Sequence, residues 1–242
     1  MKKGNIRVGT SGWHYKHWIG AFYPEGTSPS RQFAEYIKSF DTVELNNSFY
    51  HLPAKSTFKK WKADSPANFL FAVKASRYIT HMKKLLAPRD ALSTFLDHAA
   101  ALGDKFGPVL FQLPPGWNIN TVRLKAFLKL LPADHRYTFE FRNTTWYDPS
   151  VYELLRAHNV AFCIYELDKH QSPMEITADF VYVRLHGPGG KYQGRYSIDA
   201  LRAWVSQCKS WQREGKDVFV YFDNDQAGYA AFNAQELKDL TR

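Results

Sequence analysis

The chain has little cysteine, since Cys163 and Cys208 are the only two in 242 residues. They form no C-x-x-C pair, so a zinc ribbon or a redox dithiol motif has no support. Cys163 lies in an apolar run and Cys208 on a helical face, and we expect both to be buried thiols. The histidines form no H-E-x-x-H pair, and no other run has the spacing of metal ligands.

Long apolar stretches are also missing. The N-terminus, Met1-Lys2-Lys3-Gly4, leads into a short β-type run and lacks the apolar segment of a signal peptide. No run of 18 apolar residues could span a membrane. No linker, short-period repeat or low-complexity tract interrupts the sequence. We therefore expect one domain over residues 1–242, located in a reducing cytoplasm and without a membrane partner.

The composition is that of a chain with a sizeable core. Hydrophobic residues make up 45% of the sequence, charged residues 23% and aromatic residues 16%. The formal net charge of +9 favours anionic partners such as nucleic acid, phosphate esters or acidic sugars. Because lysine and arginine are not concentrated in one run, general solubility explains the charge equally well.

Short runs rich in Val, Ile, Phe and Tyr recur along the chain and predict eight strands. They cover residues 6–10, 42–46, 69–74, 109–113, 137–141, 161–165, 180–186 and 218–223. Helical spacing is clear at 92–102 and at 198–208, where Ser197 is a suitable N-cap, and an Ala-rich helix is predicted at 227–240. Strands that alternate with helices in a chain of this length predict a TIM-type (β/α)₈ barrel. Residues 166–179 have little helical period, so an irregular crossover after strand six is expected.

The carboxyl ends of the predicted strands are unusually polar, and in such barrels these ends carry the chemistry. Side chains two residues apart on a strand share a face. Three polar pairs of this kind are Glu44 with Asn46, Glu140 with Arg142, and Arg184 with His186. We expect them to converge at one end of the lumen. Because buried charges need partners, a structural network, such as Glu140 with Arg184 closing the barrel, remains an alternative to a catalytic one.

Candidate roles follow from the chemistry of these side chains. Glu44, Glu140 and His186 are the predicted catalytic residues, with the imidazole as general acid or base and a carboxylate that orients it or transfers a second proton. Lys74 and Arg142 are fixed positive charges for an anion. The predicted substrate-binding residues are Trp13, Asn46, Tyr50, Lys74, His81, Gln112, Arg142, Trp146, Arg184, Lys191, Tyr192, Arg195 and Asn224.

The loop at 187–195 is rich in glycine and carries Lys191 and Arg195 just before a helix, which suits a phosphate. A flexible loop that needs glycine for its turns explains it equally well. The segment at 9–13 lacks the G-x-S-x-G spacing, so Ser11 is a weak candidate nucleophile. For a cofactor, the available ligands suffice for at most one divalent ion. They are Glu44, Glu140 and His186, with Asp223 or His81.

Several blocks of sequence together resemble a known family. They are Gly9-Thr10-Ser11-Gly12-Trp13, Thr42-Val43-Glu44-Leu45-Asn46, Gln112-Leu113-Pro114-Pro115, Glu140-Phe141-Arg142, Arg184-Leu185-His186-Gly187 and Tyr221-Phe222-Asp223-Asn224-Asp225. In this order, and spanning almost the whole chain, they are similar to the YecE-like family, domain of unknown function family 72 (DUF72). The resemblance implies a TIM-type barrel in a cytoplasmic bacterial or archaeal protein, and no settled activity. It also implies an analogy to endonuclease IV-type enzymes, whose several metal ions need more ligands than this chain offers.

Three hypotheses for the function remain open. The first is a hydrolase or lyase, such as a phosphodiesterase, acting on an anionic, phosphate-containing substrate. In a nucleic-acid variant of it, aromatic side chains stack on bases; the candidates are Trp13, Phe49, Tyr50 and Trp146. The second is a carbohydrate-active enzyme with Glu44 and Glu140 as its carboxylate pair, although a cation-rich pocket holds both acids ionised. The third is a barrel that binds a ligand or nucleic acid without catalysis. The sequence makes no prediction about the oligomeric state.

Overall fold

Parallel strands alternate with helices in the computed structural model, which describes residues 3–86 and 89–242. Met1 and Lys2 of the N-terminus considered above lie outside the described residues. In the described ranges, the eight barrel strands are β1 (Ile6–Thr10), β2 (Thr42–Leu45), β3 (Leu70–Lys74), β4 (Phe106–Leu113), β5 (Tyr137–Phe141), β6 (Ala161–Leu167), β7 (Phe180–Leu185) and β8 (Asp217–Phe222). The predicted (β/α)₈ architecture is confirmed.

Helices connect these strands and cover the outside of the ring. They are α1 (Gln32–Ser39), α2 (Asn47–Tyr50), α3 (Lys55–Asp64), α4 (Arg89–Ala99), α5 (Thr121–Leu128), α6 (Pro149–Ala157), α7 (Ile198–Arg213) and α8 (Tyr229–Thr241). Short 3₁₀ turns lie at Lys16–Trp18, Pro29–Arg31, Ala100–Lys105, Thr144–Trp146 and Gln226–Gly228, and a π-helical turn at Tyr78–Met82. No helix within residues 3–86 and 89–242 has the length and apolar composition needed to cross a membrane.

The ends of α7 and α8 show how local chemistry sets the helix boundaries. The Ser197 side chain accepts a hydrogen bond from the backbone N–H of Ala200, as expected for the predicted N-cap. The predicted helix at 227–240 begins two residues later, at Tyr229. Ala227 and Gly228 have φ angles of 54° and 77°, and this left-handed backbone cannot belong to a right-handed helix.

The strands form a nearly closed ring in the order β1-β8-β7-β6-β5-β4-β3-β2. Neighbours along this path run parallel, as in the pairing of Ile6 with Val218 between β1 and β8. The ring closes between β1 and β2 through a single parallel bridge from Ser11 to Glu44. These two strands approach closely at Gly9, where an added Cβ would lie 2.3 Å from the carbonyl oxygen of Thr42. A larger residue at this position would therefore push the closing strands apart.

The connection between β6 and β7 is irregular, as the sequence predicted. Instead of a helix, it contains a two-residue strand, His170–Gln171, that pairs antiparallel with the end of β6. The turn that reverses the chain is formed by Asp168 and Lys169, whose φ angles are 54° and 63°. Because β6 continues into this hairpin, it ends at Leu167 rather than at the predicted residue 165.

The interior has an apolar layer on each side of the strands. Side chains that face outward pack against the helices in a large hydrophobic core, to which Cys208 belongs. Those that face inward fill the lower lumen; they are Ala72, Leu110, Ala161, Cys163, Phe180, Tyr182, Phe219 and Tyr221. Both cysteines are buried, as expected. Above these apolar side chains of the lower lumen, toward the carboxyl ends of the strands, the inward-facing side chains are polar and charged.

Candidate active site

Arg184 on β7 is the centre of a buried ionic layer in the upper lumen. Its guanidinium donates two hydrogen bonds to Glu44 on β2, from Nη2 to Oε1 at 2.7 Å and from Nε to Oε2 at 3.0 Å. Nη1 donates to Glu140 Oε2 on β5 at 2.7 Å, and Nη2 to Asp223 Oδ2 at 3.1 Å. Arg184, Glu44 and Glu140 have no exposed surface. The pairing of Glu140 with Arg184 that the sequence offered as a structural alternative is therefore present, together with two further carboxylates.

The remaining acceptor capacity of Glu44 is also used. Ser11 Oγ donates to Oε1 at 2.6 Å, and the Tyr182 hydroxyl donates to Oε2 at 2.7 Å. With the two bonds from Arg184, this carboxylate receives four hydrogen bonds in a site without solvent. Held in this way, the carboxylate connects three strands of the barrel.

Glu140 is held between two arginines. Arg142, two residues along β5, donates through Nε to Oε1, while Arg184 donates to Oε2. Burial by itself raises the pKa of the Glu140 carboxyl, but the charges of Arg142 and Arg184 hold that pKa well below its usual range. Glu140 is therefore a permanent anion at neutral pH, and it orients Arg142.

His186 is fully buried beneath Arg142 and has a defined tautomer. Its Nε2 lies 3.0 Å from Arg142 Nη2 and 3.2 Å from Arg184 Nη1. Guanidinium groups only donate, so Nε2 is the acceptor and the ring proton is on Nδ1. That nitrogen lies 3.0 Å from Asp223 Oδ2. Burial raises the pKa of Asp223, but His186 and Arg184 together keep it below its ordinary value. His186 thus supports Arg142 from below, while its Nδ1 lies close to Asp223 without forming a hydrogen bond to it.

A second, accessible layer lies above the ionic layer. Its members are partly exposed and come from the ends of five strands or the residues that follow them: Asn46, Lys74, Gln112, Arg142 and Asp223. They share the inward face with the buried residues two positions before them, as strand alternation requires. The structure therefore brings the predicted residues together, but at two depths. Glu44, Glu140, Arg184 and His186 lie below, and solvent reaches only the upper layer.

Lys74 differs from the other charged groups of the accessible layer, which surrounds the mouth of the barrel. Its Nζ lies 4.5 Å from the centre of the Phe49 ring, and the described residues provide it with neither a hydrogen-bond acceptor nor an ion-pair partner. Burial and the nearby charge of Arg184 lower the pKa of Lys74 to about 8. His81 packs against the same Phe49 ring, and burial together with Lys74 lowers the pKa of His81 to about 4. At neutral pH His81 is uncharged.

A cleft of about 530 Å³ opens beside the accessible layer, over the ends of β4 to β7. Its walls are Gln112, Pro115, Arg142, Thr144, Tyr165, Leu167, Asp168, His170, Lys191 and Tyr192. Four of these, Gln112, Arg142, Lys191 and Tyr192, are predicted substrate-binding residues. A cleft of this size accommodates a small organic ligand.

Sequence reasoning missed several residues of this site. Asp223 was named only as a possible metal ligand, although its place on the lumen face could have been predicted, because Tyr221 two positions earlier is a lumen residue and the alternation continues. Thr144 lies in the segment after predicted strand five and Tyr165 is the last residue of predicted strand six, and neither has an unusual feature in the sequence. His170 and Asp168 reach the cleft only through the hairpin at the end of β6, a tertiary pairing that no local periodicity shows.

Some predicted residues lie away from the cleft. Trp146 is fully buried, with its ring stacked 5.0 Å from Phe141 and its Nε1 donating to the carbonyl of Trp117. Arg195 pairs with Glu236 of α8 on the outside. These two side chains therefore support the structure around the mouth and do not face its interior.

Three other predicted residues surround the mouth without lining the main cleft. The amide of Asn224, which is buried, donates to the carbonyl of Gly194 and so anchors the loop at 187–195. Trp13 packs against Phe33 and lines a separate pocket of about 190 Å³ together with Asn46. Tyr50 is 79% exposed.

The donor set does not fit a divalent ion. Glu44, Glu140 and Asp223 all surround Arg184, and His186 Nε2 accepts from guanidinium groups, so a metal ion among them would meet fixed positive charge. In the ranges 3–86 and 89–242, no group of three or more His, Cys, Asp or Glu side chains is arranged to hold a metal.

Comparisons with known proteins agree with this architecture. A family model described as "Protein of unknown function DUF72" matches residues 7–242. The UPF0759 protein YunF of Bacillus subtilis (strain 168) is 28% identical over 268 residues, which cover 97% of this chain and 94% of that protein. The UPF0759 protein YecE of Escherichia coli (strain K12) is 25% identical over 143 residues, covering 59% of this chain and 50% of that protein.

Solved structures show the same relationship. A DUF72 family protein from Thermotoga maritima superposes with a TM-score of 0.89 at 27% identity, covering 98% of each chain. One from Enterococcus faecalis V583 has a TM-score of 0.84 at 19% identity, covering 98% of this chain and 95% of that one. The resemblance noted in the sequence is confirmed, and the chain belongs to the DUF72 family.

Proposed function

We propose that the protein is an enzyme, a hydrolase or lyase, that acts on a small anionic, phosphate-containing substrate in the cleft at the carboxyl ends of the strands. The observation that carries this proposal is a set of three cationic nitrogens around the mouth. Within the described chain, none of these nitrogens has a hydrogen-bond acceptor; they are Lys74 Nζ, Arg142 Nη1 and Lys191 Nζ. Arg142 and Lys191 line the cleft.

Lys191 is exposed, so water solvates its ammonium, but the Arg142 side chain is only 7% exposed, and an open donor is unusual in so enclosed a place. Polar groups that are removed from water are nearly always hydrogen-bonded, and the ionic layer just below follows that rule. An anion bound in the cleft satisfies the open donors at the mouth. Phosphate oxygens suit them because each accepts several charge-assisted hydrogen bonds.

Arg142 is pre-organised for such a contact. Glu140 holds its Nε and His186 accepts from its Nη2, so the guanidinium is fixed before any ligand arrives. A donor whose orientation is already set loses little entropy on binding and stabilises charge that develops during a reaction. In this proposal Glu140, His186 and Asp223 are positioning residues for Arg142, and Lys74 is the group whose protonation changes near neutral pH.

The alternatives have less support. A carbohydrate enzyme using Glu44 and Glu140 needs one protonated carboxyl group, but the pKa of Glu140 is held well below its usual range and both groups are buried against Arg184. For a single-stranded nucleic acid, stacking platforms are needed, yet Phe49 and Trp146 are buried and Trp13 packs on Phe33. Of the proposed platforms, Tyr50 alone is well exposed.

Calorimetric titration with inorganic phosphate tests the anion site. We expect saturable binding by the wild-type protein that weakens as the salt concentration rises. Lys191→Gln should weaken it several-fold, whereas Lys60→Gln, which removes a cation paired with Asp64 on α3, should not. Binding that is absent, or that is equally weakened by both substitutions, would contradict the proposal.

Hydrolysis of p-nitrophenyl phosphate and bis-(p-nitrophenyl) phosphate then tests for catalysis. If phosphate binds but neither ester is cleaved by the wild-type protein, the hydrolase form of the proposal is rejected, and the lyase form or simple binding remains. Cleavage that is lost in Lys191→Gln and kept in Lys60→Gln would support the hydrolase.

A further inference from the structure

A smaller pocket lies at the carboxyl ends of β1 and β2, away from the cleft. Its volume is about 190 Å³, and its walls include Trp13, Tyr15, Leu45 and Asn46. The described residues that line it include no Asp, Glu, Lys or Arg, and none of them lines the cleft over β4 to β7. Sites that enclose a whole ligand usually measure roughly 300–1,000 Å³, so this pocket has room for one uncharged group of a ligand.

The aromatic walls of this pocket are held in place. The Tyr15 hydroxyl donates a hydrogen bond to the carbonyl oxygen of Ser11, which closes the loop after β1 on itself. Behind the pocket, the rings of Phe33 and Trp61 pack against the Trp13 ring, with centroids 4.8 Å and 5.4 Å away. Two aromatic side chains are therefore in position before a ligand arrives, which reduces the entropy that is lost on binding.

Asn46 gives this pocket an unused hydrogen-bond acceptor. Its Oδ1 is buried and has no hydrogen-bond partner among the residues that the structure describes. The hydroxyl of Ser11, which also lines the pocket, already donates to Glu44 at 2.6 Å. Because a buried carbonyl oxygen that lacks a donor costs free energy, a ligand that brings an N–H group to Asn46 removes that cost.

The shortage of polar groups decides between two kinds of ring. A sugar ring would carry several hydroxyl groups into the pocket, and each would need a partner of its own. Within the described chain, the pocket offers one buried side-chain acceptor without a partner, that of Asn46. A planar heterocycle instead places its faces and edges against the rings of Trp13 and Tyr15 and needs a partner only for its donor.

We propose that this pocket is a binding subsite for one uncharged nitrogen heterocycle, whose exocyclic amino group donates a hydrogen bond to Asn46 Oδ1. Asparagine recognises the amino group of adenine in the same way elsewhere, so an aminopurine is a suitable occupant. The pocket holds a single ring system and does not provide the series of platforms that a single-stranded nucleic acid needs. The inference goes beyond the proposed function, because it requires no anion in the cleft.

A pair of matched probes tests the subsite. 9-Methyladenine and 9-methylpurine share a ring system and differ only in the amino group. Each is titrated into the intact protein with ¹⁵N-labelled tryptophan, and the indole N–H signal of Trp13 is assigned with Trp13→Phe. We expect 9-methyladenine to shift the Trp13 signal saturably and to leave that of Trp211, which is buried against α7's neighbours in the core, unchanged.

The amino group should determine the affinity. We expect 9-methylpurine to bind roughly tenfold more weakly, because it leaves the buried oxygen of Asn46 without a donor. Equal affinities for the two probes, no saturable shift at Trp13, or a shift at Trp211 but not at Trp13 would overturn the inference.

Matched variants assign the preference to Asn46. Asn46→Leu removes the acceptor at similar size, so both probes should then bind with the weaker affinity. Asn68→Leu is the control, because Asn68 is exposed just before β3 at the opposite end of the barrel, and it should keep the preference. A preference that persists in Asn46→Leu would reject the role of Asn46. The two probes are compared on the wild-type protein, so that test holds even if Asn46→Leu fails to fold.

Inorganic phosphate separates this inference from the proposed function. If 9-methyladenine binds at Trp13 but phosphate does not bind in the calorimeter, the heterocycle subsite stands and the anion site fails. If phosphate binds but 9-methyladenine leaves the Trp13 signal unchanged, the anion site stands and the heterocycle subsite is rejected.

Discussion

Replacing Arg184 by methionine tests the buried ionic layer. The substitution keeps a long side chain but leaves Glu44, Glu140 and Asp223 without the guanidinium that now bonds all three. Breaking a single buried ion pair costs about 3–5 kcal/mol, because the remaining charge is buried without compensation. With three carboxylates affected, we expect a loss in the free energy of unfolding of at least about 4 kcal/mol at pH 7, a large part of a typical domain's stability.

The loss should depend on pH. In the wild-type protein the pKa of Glu140 is lowered, so its stabilising contribution is complete above the ordinary carboxyl pKa and is lost only as the pH falls through the lowered value. Without Arg184, burial favours the protonated carboxyl groups, and acidification removes the uncompensated charge. The difference between Arg184→Met and wild type should therefore shrink between pH 7 and pH 5.

Urea unfolding followed by tryptophan fluorescence at both pH values measures this directly. Arg202→Met is a suitable control, because Arg202 and Asp199 form an exposed pair at 3.4 Å whose loss should cost less than about 1 kcal/mol. If Arg184→Met were as stable as this control, or if its deficit were the same at pH 7 and pH 5, the reasoning would be refuted.

Other substitutions probe the same barrel. Gly9→Ala places a Cβ 2.3 Å from the Thr42 carbonyl oxygen, and strand separation should cost about 2 kcal/mol or more, seen as a lower urea midpoint. Tyr182→Phe removes one of four donors to Glu44 and should cost about 1–3 kcal/mol in the same assay; no change would show that Tyr182 is not needed there. Glu140→Gln should lower the urea midpoint and also weaken phosphate binding, because Arg142 loses its anchor; unchanged binding would argue against that positioning role.

The composition of the mouth follows from the sequence to a large extent. Strand alternation places Glu44, Glu140 and Arg184 on the lumen side, because the side-chain period of a strand is two. Depth along the barrel axis does not follow from that period. It depends on the stagger of neighbouring strands, here Gln112 opposite Glu140 and Arg184 opposite Tyr221. For that reason, which polar residues reach solvent was not predictable.

Loop residues after the strands were harder to place. Trp146 follows β5 closely, but a 3₁₀ turn capped by Asn143 directs its ring back onto Phe141 in the core. Asn224 follows β8 and serves as an anchor for Gly194. Their positions depend on local caps and on contacts between distant loops, which a pattern of hydrophobic and polar residues does not encode.

We propose that the mouth of the barrel binds a phosphate anion beside Lys74, which has no partner among the described residues. Nuclear magnetic resonance titration of its side chain, assigned with the Lys74→Arg variant, tests this most directly. We predict that Lys74 titrates with a pKa near 8 in phosphate-free buffer, and that added inorganic phosphate raises this pKa because a nearby anion favours the ammonium. A pKa near 10.5 without phosphate, or a lowered pKa that phosphate leaves unchanged, would contradict the account.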